Sequence, residues 1–247
     1  MIKTIAILLL LVFIISNGSK YPGSERFAVA VLKYNGNWDN RIDAVKSMII
    51  ELMNRTSVNA EMLAKPIKPA DNDLFYYPFL LMTGDKYFPP FTTAERNRLK
   101  LYLEAGGFML IDNSSGMRDG EFDKCVRREL GALFPETPLK ILDADHSIYR
   151  SFYLMNKTYF GGRVKSVPYL EGISKDDITP VIYSLNDAAG AWLRDQAGNY
   201  IYDVIPGGEV QRRDAFKLGI NAVIYAITAN YKKDAVHVRA LLKRKRR

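Results

Sequence analysis

Short runs in which every residue is apolar constrain the fold of this chain more than any other feature. The clearest are Pro78 to Thr83 and Phe108 to Ile111, and an amphipathic helix pattern lies between them. A strand without polar residues has no side that can face water, so helices must cover both of its faces. The pattern therefore predicts an α/β fold with a doubly wound, mostly parallel sheet.

The rest of the chain continues this alternation of strands and helices. Further strands are predicted over Phe27 to Tyr34, Ala60 to Ala64, Leu139 to Leu142 and Val181 to Leu185. The predicted helices are one capped by Asn40, one opened by the capping box Thr92-Thr93-Ala94-Glu95, one from Glu121 to Leu133 and one from Arg213 to Tyr231. No stretch has the composition of a linker, so residues 19–242 are predicted to form a single domain.

The first eighteen residues are predicted to lie outside the fold. Lys3 precedes an unbroken apolar run from Ile5 to Ile15, and small residues follow it up to a cleavage position after Gly18. The run is shorter than the roughly 20 apolar residues that span a bilayer, so it indicates a signal peptide, with an uncleaved anchor as the alternative. Both interpretations predict an exported protein, in the periplasm or on the outer face of a bacterial membrane.

The chain has a single cysteine, Cys125. Cys125 has no second cysteine for an intramolecular disulfide and lies on the apolar face of a predicted helix, so we expect it to be buried.

Of the net charge of +8, five positive charges form a basic tail: Lys243, Arg244, Lys245, Arg246 and Arg247. The tail either contacts anionic lipid head groups or stays solvated. The body lacks the mixture of basic and aromatic residues typical of nucleic-acid binding.

Several longer segments carry a resemblance to a known family. They are "PFLLMTGDKYF", "LEAGGFMLIDNSSG", "FDKCVRREL", "DHSIYRSFY", "YSLNDAAGAW" and "LGINAVIYAITANYKKDAVHV". Together they resemble the bacterial family called domain of unknown function 4159, across nearly the whole chain after the signal segment. The resemblance implies a flavodoxin-like fold similar to that of class I glutamine amidotransferases. It also implies a location in the cell envelope. It implies no particular reaction and no cofactor.

The amidotransferase comparison gives a meaning to the polar residues after Ile111. In those enzymes the corresponding strand leads to a turn that bears a catalytic cysteine, and an earlier strand end, here Thr83-Gly84-Asp85, helps to shape an oxyanion pocket. Here the turn has no cysteine: Ser114 or Ser115 takes roughly the nucleophile position, followed by Gly116. This matches only half of a nucleophile elbow of the Gly-x-Ser-x-Gly type.

A catalytic serine also requires a base, and His146 is the one histidine beside a predicted strand end. A hydrolase would pair Ser114 with His146, with Asp145 or Asp143 orienting the imidazole. In the alternative interpretation, the two aspartates only cap a short helix near Ser147. Another interpretation is a divalent cation site formed by Asp112, Asp145 and His146 and completed by Asp119 or Glu121. The spacing of these residues along the sequence matches no fixed pattern of metal ligands. No metal and no cofactor are therefore predicted.

These residues lead to one geometric prediction and two functional ones. Because parallel strands bring their carboxyl ends to one edge, we predict that Asp85, Asp112, Ser114 and His146 share a shallow polar cleft. Asn113 and Asp187 complete the candidate ligand-binding residues. The missing cysteine favours a non-catalytic binding or assembly module whose partners are other envelope proteins. The rival is a serine hydrolase using Ser114 and His146; a buried or capped Ser114 would favour the module.

Overall fold

Seven strands form one sheet in the structure, a computed structural model that describes residues 26–155, 161–175 and 178–244. The side chains of residues 229–244 are outside this description, as are the predicted signal segment 1–18 and the last three residues of the chain. The strands are β1 (Ala30–Leu32), β2 (Lys65–Ile67), β3 (Phe79–Gly84), β4 (Phe108–Asn113), β5 (Lys140–Ile141), β6 (Glu171–Lys175) and β7 (Ile178–Ser184). The α-helices are α1 (Ala44–Arg55), α2 (Thr93–Glu104), α3 (Glu121–Leu133), α4 (Ala188–Trp192) and α5 (Gly208–Arg244).

The strand order is β2-β1-β3-β4-β7-β6-β5. The pairs β1 with β2, β1 with β3, β3 with β4 and β4 with β7 are parallel, and β6 is antiparallel to both of its neighbours. The sheet is thus mixed but mostly parallel, which confirms the predicted α/β class. In β3 and β4 every residue is buried, as the apolar runs predict, and β4 extends past its predicted run to include the buried polar residues Asp112 and Asn113.

Alternate residues of the central strands serve two hydrophobic cores. Phe79, Leu81 and Leu110 belong to a core on the side of α1, α4 and α5. Leu80 and Met109 belong to a second core on the side of α2 and α3. The period of two in strand side chains therefore divides one apolar sequence between two layers of helices.

The first residues of the helices show which of the predicted capping interactions form. The capping box at α2 is confirmed, since Thr92 Oγ1 accepts a hydrogen bond from Glu95 N and the Thr92 N–H donates to Glu95 Oε2. The predicted cap Asn40 is wrong: α1 begins at Ala44, and Asn40 Oδ1 instead accepts a hydrogen bond from Ser114 Oγ. The burial of Cys125 is confirmed, with 3% of the residue exposed.

Several boundaries differ from prediction. The predicted strand from Ala60 to Ala64 contributes only a bridge between Ala60 and Phe27, and pairing continues in β2 just after it. The closing helix α5 is longer than predicted at both ends. Strand β6 and helix α4 have no counterpart among the predicted elements.

Candidate functional site

The candidate site lies at the carboxyl edge of the sheet, which we define as the edge where β3, β4 and β7 end. Asp112 on β4 pairs in register with Thr83 on β3 and with Ser184 on β7. Of the predicted ligand residues, Asn113 is the last residue of β4, and Asp85 and Asp187 follow the ends of β3 and β7. Parallel pairing thus brings most of the predicted polar residues to one edge.

Asp112 is fully buried, and both oxygens of its carboxylate accept hydrogen bonds from backbone N–H groups. Its Oδ1 accepts a hydrogen bond from Ala188 N at 2.9 Å, and its Oδ2 accepts one from Ala189 N at 2.8 Å. The carboxylate therefore caps the start of α4 from a neighbouring strand. Burial, and secondly the nearby charge of Asp187, raise the pKa of Asp112 to about 6.

Asp187 is the centre of a buried ionic network. It is in the left-handed backbone conformation with φ of 51°, and its Oδ1 accepts a hydrogen bond from Gly190 N at 3.0 Å. Arg41 approaches both carboxylate oxygens at 3.0 Å, and Arg163 donates from Nε to Oδ2. Both guanidinium groups also lie over the ring of Tyr202, at 4.8 and 5.3 Å from its centroid. We call Asp112, Asp187, Arg41, Arg163 and Tyr202 the strand-end network.

Ser114 is buried beside this network and does not have the surroundings of a nucleophile. Only 3% of the residue is exposed, its N–H donates to Gly84 O, and its Oγ lies 3.5 Å from Asn40 Oδ1. The next helix, α3, starts only at Glu121, so Ser114 is not on a tight turn from strand to helix.

The side chains of Asn113 and Asp85 also have partners within the protein. Asn113 Oδ1 accepts hydrogen bonds from the backbone and the hydroxyl of Ser115, and its Nδ2 donates to Met117 O and Tyr183 Oη. Asp85 is partly exposed and accepts a hydrogen bond from Asn37 Nδ2 at 2.7 Å. Asn113 therefore stabilises the turn after β4, whereas Asp85 remains at the surface.

His146 lies at the other edge of the sheet. Its Nε2 is 2.9 Å from the hydroxyl of Thr179, and its ring lies 5.8 Å from that of Tyr225. Thr179 is near the start of β7, five residues before Ser184, and at about 3.3 Å per residue this is about 16 Å along the strand. The predicted cleft shared by His146 with Asp112 and Ser114 is therefore wrong, because the loop after β5 leads to the starts of the parallel strands.

The surroundings of His146 indicate a structural role. Its Nδ1 accepts a hydrogen bond from Ile148 N at 3.2 Å and so caps the turn Ser147–Arg150. The capping expected of Asp143 and Asp145 is thus supplied by the histidine itself, and both aspartates are exposed. Burial lowers the pKa of His146, so that the neutral ring, which can accept this bond, is favoured.

The alternative metal set is not assembled. Asp145 and His146 are separated from Asp112 by the length of β7. Among residues 26–155, 161–175 and 178–228, whose side chains the structure describes, no cluster of three or more carboxylate, histidine or cysteine side chains has the arrangement of a cation site.

Sequence reasoning missed Arg41, Arg163 and Tyr202. Arg41 lies far from Asp187 in the sequence, and Arg163 and Tyr202 lie in segments without a periodic pattern. The three residues meet Asp187 or one another only in the folded chain. The one local signal is the pair Gly161-Gly162 before Arg163. A Cβ on Gly162 would lie 2.1 Å from Asn186 O, so the chain can pass beside β7 only with glycine there.

A groove of about 610 Å³ lies elsewhere, between α1 and two surface segments. Its described lining includes Ile42, Lys46, Met62, Leu63, Arg194 and Asp195, and none of the predicted site residues is among them. The concave surface and the strand-end network are therefore separate features.

The fold and the strand-end network define an α/β domain whose strand-end carboxylates are neutralised by arginines and helix N–H groups. The chain belongs to the family described as Domain of unknown function (DUF4159), whose model matches residues 28–227. A comparison with curated proteins finds no match to the chain. No helix in the described part of the chain combines the length and the apolar composition needed to cross a membrane.

Proposed function

We propose that this protein is an exported binding or assembly module of the cell envelope, built on a flavodoxin-like, amidotransferase-like fold. The observation that carries the proposal is the internal neutralisation of the strand-end network, in which Asp112 and Asp187 are fully buried and bound by protein groups. A catalytic site needs groups that are free to meet a substrate. In related folds this edge of the sheet carries the catalytic residues, whereas here its buried carboxylates stabilise the fold.

The strand order supports the finer fold assignment. The first strands follow the order β2-β1-β3-β4, with β7 next to β4, which matches the 2-1-3-4-5 pattern of flavodoxin-like sheets. The antiparallel β6 and the short β5 extend this core on one side.

Export rests on the sequence of residues 1–18 and on the envelope setting that the family resemblance implies. We expect these residues to be removed, or to act only as an anchor, with the domain outside the cytoplasm. Mass spectrometry of the native protein and cell fractionation measure this directly. Recovery of the full-length chain from the cytosol would contradict export.

Two measurements test the module. In a screen of ester, amide and thioester substrates we expect no turnover that Ser114→Ala abolishes. In intact cells, a photo-crosslinking residue at the exposed position Met117, Leu63 or Leu101 should give a defined adduct with an envelope protein from at least one position. Turnover that depends on Ser114, at unchanged thermal stability, would overturn the proposal, and so would the absence of adducts from all three positions.

A further inference from the structure

Residues 143–155 lie at the amino edge of the sheet, the edge where the parallel strands begin, and we call them the strap. Ile148, Tyr149 and Met155 are buried in the hydrophobic core on the side of α5. The strap contains one short helical turn, Ser147–Arg150, and otherwise irregular backbone. Its place on the core therefore depends on side chains that hold its backbone.

Asn221, which is fully buried in α5, holds the second half of the strap. Its Oδ1 accepts hydrogen bonds from Phe152 N at 3.2 Å and from Tyr153 N at 2.7 Å. Its Nδ2 donates to Ile148 O and to Tyr153 O. A carboxamide has no proton to gain or lose at the pH values where proteins are folded. This attachment is therefore independent of pH.

His146 holds the first half of the strap with a side chain that titrates near neutral pH. Its Nδ1 accepts a hydrogen bond from Ile148 N at 3.2 Å. Because Nδ1 is the acceptor, the ring proton is on Nε2, which lies 2.9 Å from Thr179 Oγ1. Thr179 Oγ1 in turn lies 2.8 Å from Ser174 Oγ. The attachment therefore requires the neutral ring in one of its two tautomers.

A proton added at Nδ1 of His146 removes this attachment. The protonated nitrogen has no lone pair with which to accept a hydrogen bond, and its N–H points at the N–H of Ile148. The ring is partly buried beside the rings of Tyr149 and Tyr225, at 6.4 and 5.8 Å between centroids. This burial lowers the pKa of His146. The closed strap thus favours the neutral ring, and release of the ring into water favours the charged one.

The charged groups around His146 favour release as well. Within the described residues, the charged groups that act on the ring are exposed and belong to the strap itself: Asp143, Asp145 and Arg150. From β7 and α5, the groups packed against the ring are the hydroxyl of Thr179 and the phenol of Tyr225. An imidazolium that leaves β7 therefore meets two exposed carboxylates.

We propose that the strap is a pH-operated switch: in mild acid His146 takes up a proton and releases the turn that follows it, while Asn221 keeps the second half of the strap on α5. Opening uncovers the side chains of Ile148 and Tyr149, so the amino edge presents an apolar patch in acid that it lacks at neutral pH. Since free histidine has a pKa of about 6.5, opening becomes easier as the pH falls through that value, and it levels off below the lower pKa of the closed form. The inference does not rest on the proposed function, because the strap and the strand-end network lie at opposite edges of the sheet.

Hydrogen exchange followed by NMR tests the switch in the native chain. The readout is the protection of the Ile148 N–H, which is the exchange rate of an unstructured amide at the same pH divided by the measured rate. We expect this protection to fall by up to about tenfold for each pH unit below about 6.5. The amides of Phe152 and Tyr153, which Asn221 holds, should keep their protection.

The substitution His146→Asn separates the cap from the proton. The Oδ1 atom of asparagine takes the place of histidine Nδ1, and asparagine is among the preferred residues at the start of a helix, so Ile148 N keeps an acceptor that does not titrate. We expect Ile148 in this variant to have the same protection at neutral and at acid pH. The control is His237→Asn, which removes the other histidine of the chain and should respond to acid as the native chain does.

Three results would overturn the switch. They are constant protection of Ile148 in the native chain between about pH 7.5 and about pH 5, an equal fall in His146→Asn, and an equal fall at Phe152 and Tyr153, which would mean that the whole domain loosens. Heteronuclear NMR of the ring is a second readout: we expect the proton on Nε2 at neutral pH, and a proton on Nδ1 would contradict the closed strap. None of these measurements involves Ser114 or a protein partner, so their failure leaves the tests of the proposed function unaffected.

Discussion

Asp187 is the carboxylate of the strand-end network that pairs with arginines, and its backbone conformation is also unusual. Its side chain balances Arg41 and Arg163 while it caps Gly190 N. Asparagine adopts the left-handed conformation at little cost and keeps the shape of the side chain. The substitution Asp187→Asn therefore isolates the charge.

We expect Asp187→Asn to lower the free energy of unfolding by about 3 kcal/mol, because it leaves the nearly buried Arg41 without its counter-ion. The matched control is Asp85→Asn, which removes a charge from a partly exposed carboxylate with one neutral partner. Its effect should stay below about 1 kcal/mol. Urea denaturation measures both, and a smaller loss for Asp187→Asn than for Asp85→Asn would contradict the structural role of the network.

Cys125 provides a second prediction at this scale. Cys125→Ala should cost about 1 kcal/mol, since it leaves a small cavity next to Phe88. Cys125→Asp should cost much more, because it places an unpaired charge in the core. Thermal unfolding compares the variants, and rapid labelling of the native thiol would show that the burial is wrong.

The candidate site could be predicted from the sequence only in part. The prediction that Asp85, Asp112 and Ser114 lie at one edge is confirmed, because each follows an apolar run and parallel pairing brings the ends of such runs together. His146 follows a run too, and β5 runs in the same direction as β7, since both are antiparallel to β6, but the loop after β5 turns back to the opposite edge, where His146 contacts Thr179. No sequence pattern marks this return. Arginine partners such as Arg41 depend on long-range packing, which no local pattern encodes.

At the scale of elements, strong local signals predicted the structure best. The helix α3 has the predicted ends, and the capping box fixed the start of α2. Strands β3 and β4 were found because burial on both faces requires unbroken apolar sequence. The short helix α4 was missed because four of its five residues are small and its start is capped from another strand, by Asp112.

Two glycines offer a matched test of how closely elements approach. A Cβ on Gly161 would lie 1.8 Å from Ala215 N in α5, whereas one on Gly131 in α3 would meet nothing within 4 Å. Gly161→Ala should therefore destabilise the domain by about 3 kcal/mol or more, because it forces α5 away. Gly131→Ala should stabilise it by about 0.5–1 kcal/mol through helix propensity. Chemical denaturation of both variants checks the pair, and equal effects would contradict the close packing of α5.

At the scale of the whole molecule, the buried Asp112 makes stability depend on pH. Its pKa is raised to about 6 in the folded state, so its protonated form is favoured there. Its contribution is fully present below the unfolded pKa, near 4, and is lost as the pH rises through about 6. Asp112→Asn removes this titration.

The measurement is the difference in the free energy of unfolding between the native chain and Asp112→Asn at several pH values. The native chain should lose up to about 3 kcal/mol relative to the variant between pH 4 and pH 8. His146 acts in the opposite direction, since its lowered pKa reduces stability in acid, but it contributes equally to both proteins. A difference that does not change with pH would show that Asp112 keeps an ordinary pKa.

The position of β7 in the sheet has a consequence for synthesis. It is the last strand in the chain, yet it pairs with β4 near the middle of the sheet, while β5 and β6 lie outside it. A chain made from its amino end can assemble β1 to β4 early, but the backbone N–H and C=O groups on one edge of β4 stay unpaired from residue 113 to residue 184, a span of 71 residues. Such an unpaired edge invites pairing with other chains. A nascent chain stalled within this span should therefore aggregate or recruit a chaperone, whereas the complete chain, in which β7 pairs with β4 and α5 covers the core, should not.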